Sequence, residues 1–225
     1  MTGERNSVPH PLRTITAIAL PCVLALLVAV NFQQRKADAE RVARIRNLQQ
    51  WGIALNIYLI ENDSQLPAVG ATPVSENQTK AWYNALPPGI SEEPLASLPP
   101  GKRPRPGEPS LWIRPGLRSP KVWDPEVFYF SYGMNRFLQP VEGVRSFRIY
   151  EIEYPGSVVF LAPIDDFVPV SDPENVAFPG GRNGRTPAPV LFCDGHVEMV
   201  SPSVLTSEQS RTAAAAAEGP SWYEK

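Results

Sequence analysis

The chain has 225 residues, 43% of them hydrophobic, which is enough for one soluble domain with a real core and an additional segment. Its formal net charge of -2 excludes a whole-protein electrostatic attraction to nucleic acid. The 26 prolines exclude an all-helical body, because proline removes a backbone donor and fixes φ. The two cysteines, Cys22 and Cys193, make neither a disulfide framework nor a zinc site, and are expected as free thiols.

Residues 1–13 read as a short leader. Residues Thr14 to Gln34 carry no charge, and this run spans roughly 30 Å as a helix, about one hydrocarbon thickness. The run shows no polar face before Asn31, so 14–34 is predicted as a transmembrane helix rather than a buried soluble one. A cleaved signal peptide has a shorter apolar region, and Ala37-Asp38-Ala39 lies past several charges. A lipoprotein signal needs a small residue before the modified cysteine, and here Pro21 precedes Cys22. Lys and Arg counts alone place the C-terminal side of the helix in the cytoplasm, because Arg35, Lys36, Arg41, Arg44 and Arg46 follow it.

Residues 35–62 are predicted as a spine helix. Val42, Ile45, Leu48, Gly52, Leu55 and Leu59 recur at steps of three and four, one helical stripe, broadened by Ile53, Ile57 and Ile60. Asn62-Asp63-Ser64 and Pro67 end it. No breaker separates it from the membrane run, so one helix from about 14 to 61 is expected, roughly 70 Å long.

Residues 63–205 are predicted as a β-rich domain and 206–225 as a flexible tail. Residues 64–125 are Pro-rich and lack periodicity, and Lys102, Arg103 and Arg105 read as a solvated loop. Strands are expected at 128–132, 145–152, 157–164 and in two halves of 189–200. Asp194-Gly195 between those halves predicts a two-residue type I′ hairpin turn. The fold class is therefore α+β: a long N-terminal helix packed on a small antiparallel β-sheet.

Little here points to catalysis. Asp194 and His196 stand two apart across the turn and could converge on a ligand, which supports an exported hydrolase only weakly. Turn formation by Asp194-Gly195, with His196 starting the return strand, is the simpler reading. There is no Gly-x-Ser-x-Gly, no phosphate loop and no His-Glu-x-x-His. No small-molecule substrate and no resident cofactor are indicated. Asp165, Asp166 and Asp194 are the candidates for a calcium site, without an Asp-x-Asp-x-Asp spacing.

Four stretches together resemble a known family. They are RVARIRNLQQWGIALNIYLIENDSQLP with Asn47, Leu48, Gln50, Tyr58, Asn62 and Asp63, SYGMN at 131–135, IYEIEYPGSVVFLAPID at 149–165, and RNGRTPAPVLFCDGHVEMVSP at 182–202. The chain resembles the prepilin- or pseudopilin-like proteins of the planctomycete-type family, which carry a C-terminal H-x9-DG motif. The likeness covers about residues 12–205. Here the apolar segment begins with Leu12-Arg13-Thr14-Ile15-Thr16, with neither the family's Gly-Phe junction nor its glutamate, and Gly184 stands where the motif has histidine.

The resemblance implies a pilin-like structural subunit of a type II secretion or type IV pilus-like assembly, not an enzyme. It implies a bacterial inner-membrane, single-pass protein with a cytoplasmic N-terminus and a periplasmic or extracellular domain, against the charge count. Its partners would be the membrane and other pilin-like subunits or secretion machinery. Pro21, Leu24, Leu27, Val42, Ile45, Leu48, Leu55 and Leu59 would serve assembly, and Asn183, Gly184, Asp194, Gly195 and His196 would form the motif turn. Pseudopilins of type II secretion hold calcium in a C-terminal loop, which bears on the three aspartates. The missing junction and glutamate leave open a membrane-anchored binding module that never polymerises.

Overall fold

The computed structural model describes residues 11–108, 110–117, 124, 127–139, 145–179, 185–207 and 221–222, with side chains from residue 24 onward. It divides into two compact units, Met1–Arg41 and Val42–Lys225. One helix, α1, runs from Pro11 to Glu61. In the first unit the described side chains of Leu24, Leu26, Leu27, Val28, Val30 and Phe32 are all exposed. Among the described residues no helix is long and apolar enough to cross a membrane. The side chains of 14–23, half of the uncharged run, lie outside that description, as does the side chain of Cys22.

In the second unit α1 buries Leu48, Trp51, Ala54 and Leu55 completely, Gly52 is buried with them, and Ile45 and Leu59 are partly buried. Val42 does not belong to this stripe, being 56% exposed. At 100° per residue it lies about 120° around the helix from Leu48. The body meets the helix on the other side, where Arg44 Nε donates to the carbonyl of Pro115 at 2.9 Å and Asn47 Nδ2 to that of Ser110 at 3.0 Å. Ile53 and Ile60 are exposed too. The helix ends as expected: Asp63 and Ser64 take left-handed φ, and the Ser64 N–H donates back to the Leu59 carbonyl.

The sheet has five strands: β1 Phe130–Asn135, β2 Val159–Asp166, β3 Val170–Ser171, β4 Ala188–Phe192 and β5 Val197–Val200. Their order is β3-β1-β2-β4-β5. β1–β2, β2–β4 and β4–β5 pair antiparallel, but β3 lies parallel to β1, so the sheet is mixed rather than purely antiparallel. Gly133 permits that pairing. A Cβ there would stand 2.6 Å from the carbonyl carbon of Val170. Ser171 Oγ donates to the Gly133 carbonyl at 2.7 Å.

Both faces of the sheet are covered, which is why β2 and β4 read as continuous apolar runs. Leu191 and Cys193 face the cluster containing Leu48, Trp51 and Leu55. Ala188, Val190 and Phe192 face a second cluster with Val176, Phe178, Val200, Leu205 and Trp222. Cys193 is free, and burial pushes its thiol pKa well up.

The segment 145–152 is not a strand. A 3-10 turn, Ile149–Glu151, replaces it. Glu151 accepts from the Arg148 N–H at 2.8 Å and from both terminal nitrogens of Arg145. The alternation of Phe147 and Ile149 instead reflects pairing with the chain after α1, where the Leu66 N–H donates to the Phe147 carbonyl and the Ile149 N–H to that of Ser64. The Pro-rich stretch supplies a short helix, α2 (Trp82–Ala85), and an aromatic wall on α1. The Trp51 ring centroid lies 5.7 Å from that of Trp82 and 4.8 Å from that of Trp112, both edge-on.

The tail is anchored rather than loose at Ser221 and Trp222, both fully buried. A last short helix, α3 (Pro202–Leu205), precedes it.

Candidate functional site

The β4–β5 turn is the site that the sequence singles out, and it is built in two steps. Phe192 and His196 close the hairpin: the Phe192 N–H donates to the His196 carbonyl at 3.0 Å, and the Gly195 N–H to the Phe192 carbonyl at 3.0 Å. Gly195 has φ of +90°, while Asp194 has a negative φ. This is a three-residue loop, a type I turn closed by a left-handed glycine bulge, and not the expected type I′ turn, which needs positive φ at both central positions. The extra residue puts Phe192 and His196 opposite each other, and their rings stack at 4.6 Å, 5° from parallel.

Asp194 then locks the return strand. Its Oδ1 accepts from the His196 N–H at 3.0 Å and from the ring Nδ1–H at 2.6 Å. That fixes the ring with Nε2 outward, 3.9 Å from Glu198 Oε2. Asp194 Oδ2 closes over Gly156, where a Cβ would stand 2.9 Å from it. Both partners remain about 40% exposed, so solvent screens the pair.

The turn is seated on α1. A Cβ at Gly52 would lie 2.5 Å from the Gly195 carbonyl oxygen and 3.1 Å from Leu191 Cδ1. A Cβ at Gly195 would lie 2.6 Å from Asn56 Nδ2. Two glycines therefore set the distance between helix and hairpin. Gly52, Asn56 and Gly156 are the members of this site that the motif alone did not reveal; the glycine within the α1 stripe was the available signal.

Chemically, an Asp–His pair can orient a general base. Among the described residues, however, the ring of His196 meets Asp194, Glu198 and the Phe192 face, and no hydroxyl or thiol hydrogen-bonds to it. Among the described residues the geometry supplies a turn lock.

The three aspartates do not converge. Val159, at the start of β2, pairs with Phe192 beside the turn. Asp165 stands six residues further along β2, roughly 20 Å away. Asp165 is taken up by Arg114, at 2.5 Å from its Nη2, and Asp166 Oδ1 accepts from the Phe167 N–H at 2.7 Å. Among the described residues no group of three or more His, Cys, Asp or Glu is placed to hold a metal ion. Burial, and then the negative charge of Asp165, push the Tyr129 phenol pKa up. Asn183 and Gly184 lie outside the described residues. Of the expected assembly residues, Leu24, Leu27 and Val42 are exposed, and Leu48 and Leu55 belong to the core.

Comparison with known protein families, with curated proteins and with solved structures finds no match to this chain.

Proposed function

We propose that this chain is a membrane-anchored, pilin-like structural subunit of a type II secretion or type IV pilus-like assembly, with its N-terminus cytoplasmic and its domain exported. The observation that carries this reading is α1. In the second unit the helix is core, with Leu48, Trp51 and Leu55 fully buried. In the first, Leu24, Leu27, Val28 and Phe32 stand exposed on the same unbroken helix. Water does not favour such a row, whereas lipid or neighbouring apolar helices do. The turn at Gly195, seated on α1, braces the domain on its helix, a structural role for the motif.

A second reading, an anchored binding module that does not polymerise, rests on Leu12-Arg13-Thr14, which lacks both junction and glutamate.

The intact mass of the protein from its native membrane tests the first step. Loss of a short leader near residues 11–14 with an added methyl group supports a working prepilin pathway, and an unprocessed 225-residue mass favours the anchored module. Cross-linking separates the two directly. A chain with Cys22→Ser and two exposed cysteines about 200° apart around the helix, Leu24→Cys and Leu26→Cys, oxidised in native membranes, yields a ladder of linked copies from an assembly and no multimers beyond dimers from a module.

A further inference from the structure

The Ser221–Trp222 segment is held as a peptide ligand is held. Ser221 pairs parallel with Val158. Its N–H donates to the Ser157 carbonyl at 2.7 Å, and its carbonyl accepts from the Val159 N–H at 2.9 Å. This occupies the side of β2 that β1 vacates, since β1 pairs there as far as Met134 with Leu161 and then turns away at Asn135. Buried Asn135 bridges the two, its Nδ2 donating to the carbonyls of Val159 at 2.8 Å and Trp222 at 2.9 Å. Trp222 is fully buried among Val159, Val190, Phe192, Val200 and Leu205, and its Nε1–H donates to the Leu205 carbonyl at 2.8 Å. Main-chain pairing with a strand supplies affinity and a side-chain pocket supplies specificity, the physics of β-augmentation. A buried tryptophan is a typical anchor for such contacts.

Each of these contacts is made to residues 135–205, so every copy of the chain presents the same groove. Residues 206–220 join α3 to the segment, and 15 residues reach at most roughly 50 Å. The cis contact is thus favoured mainly by the effective concentration that this connection sets, on the order of millimolar for a flexible one. Exchange of an identical element between copies needs no new contact. We propose that this groove is a peptide-binding site for an extended Ser-Trp segment, and that the segment is exchanged between copies, occupying a neighbour's groove in trans. The proposal goes beyond the membrane reading and is tested on the detergent-solubilised chain, so the two fail independently.

The first test uses the full chain with a protease site introduced within 208–213, folded and then cut. A fluorescent peptide of residues 217–225 should enter the groove and be displaced by the unlabelled peptide. The Trp222→Ala peptide should compete at least about tenfold more weakly. Failure of the labelled peptide to enter, or equal competition by the alanine peptide, overturns the site. The second test mixes two uncut chains, one Val158→Cys and one Ser221→Cys, both with Cys22→Ser and with Cys193→Ala, because Cys193 lies beside Val158 just after β4 and would compete for its thiol. Oxidation should give a disulfide-linked heterodimer. A chain carrying both cysteines closes on itself and shows that the geometry permits the bond. Intramolecular closure without any heterodimer overturns exchange while leaving the peptide site standing.

Discussion

The backbone of α1 at Gly52 and the carbonyl oxygen of Gly195 approach so closely that a methyl group at Gly52 would stand 2.5 Å from that oxygen. Alanine favours a helix over glycine by about 1 kcal/mol, so Gly52→Ala on a free helix would stabilise. Here the overlap with backbone and with Leu191 must be relieved by moving the hairpin, and overpacking of this kind costs about 1–3 kcal/mol. Gly52→Ala is therefore expected to lower stability by about 1 kcal/mol net. Chemical denaturation decides it: a more stable variant would mean that the turn is not braced on the helix.

Gly195 carries two separable demands, its φ of +90° and the proximity of Asn56 Nδ2. Gly195→Ala should cost about 1–3 kcal/mol, since a left-handed non-glycine residue is strained. Asn56→Ala removes only the steric part. The double variant should recover a fraction of the loss, and a double-mutant cycle measures it. Additive losses would place Asn56 outside the turn's support.

Much of this architecture was readable because one physical signal dominated each piece. The apolar runs of β2 and β4 read as strands because both of their faces are covered, and Asn62-Asp63 read as a stop because left-handed residues end a helix there. The pattern failed where partners are distant in sequence. Phe147 and Ile149 alternate as a strand would, yet their backbone partners lie just after α1. β3 is two residues long, too short for periodicity, and depends on Gly133 across the sheet. Trp82 and Trp112 sit in proline-rich sequence with no period, and only the tertiary contact with Trp51 makes them core. At the site, Asp-Gly gave the turn, but the turn type depends on where Phe192 and His196 close it. The anchor at Trp222 left no local signal, because an isolated Ser-Trp becomes ordered only by filling the gap beside β2.

Tyr83 gives the domain an alkaline limit. Burial pushes its phenol pKa up to about 12. The folded state thus holds the proton more tightly than the unfolded chain, in which a tyrosine titrates near 10. The stability linked to Tyr83 is fully present below about pH 10 and is lost as the pH rises from there toward 12. Melting temperature should fall across that window, and Tyr83→Phe should flatten the fall. An unchanged pH profile in Tyr83→Phe would assign the decline to Tyr129 and Tyr132, whose phenols burial also raises.

The chain divides between Arg41 and Val42 into two compact units, and the proposed function assigns anchoring to the first and folding to the second. The buried residues from Leu48 to Trp222 lie in the second unit, so a chain beginning at Val42 should fold with a cooperative melt and near-native tyrosine and tryptophan fluorescence. What it loses is the row Leu24, Leu26, Leu27, Val28 and Phe32, together with the uncharged residues before it. Burying one such side chain in hydrocarbon contributes about 1.5–3 kcal/mol, so the row outweighs the entropy of confinement to a surface. The full chain should therefore co-float with lipid vesicles in a density gradient and resist extraction by salt, while the chain from Val42 stays in the soluble fraction. Vesicle binding by both forms would move the membrane contact to the domain, and binding by neither would remove the anchor from the proposed function.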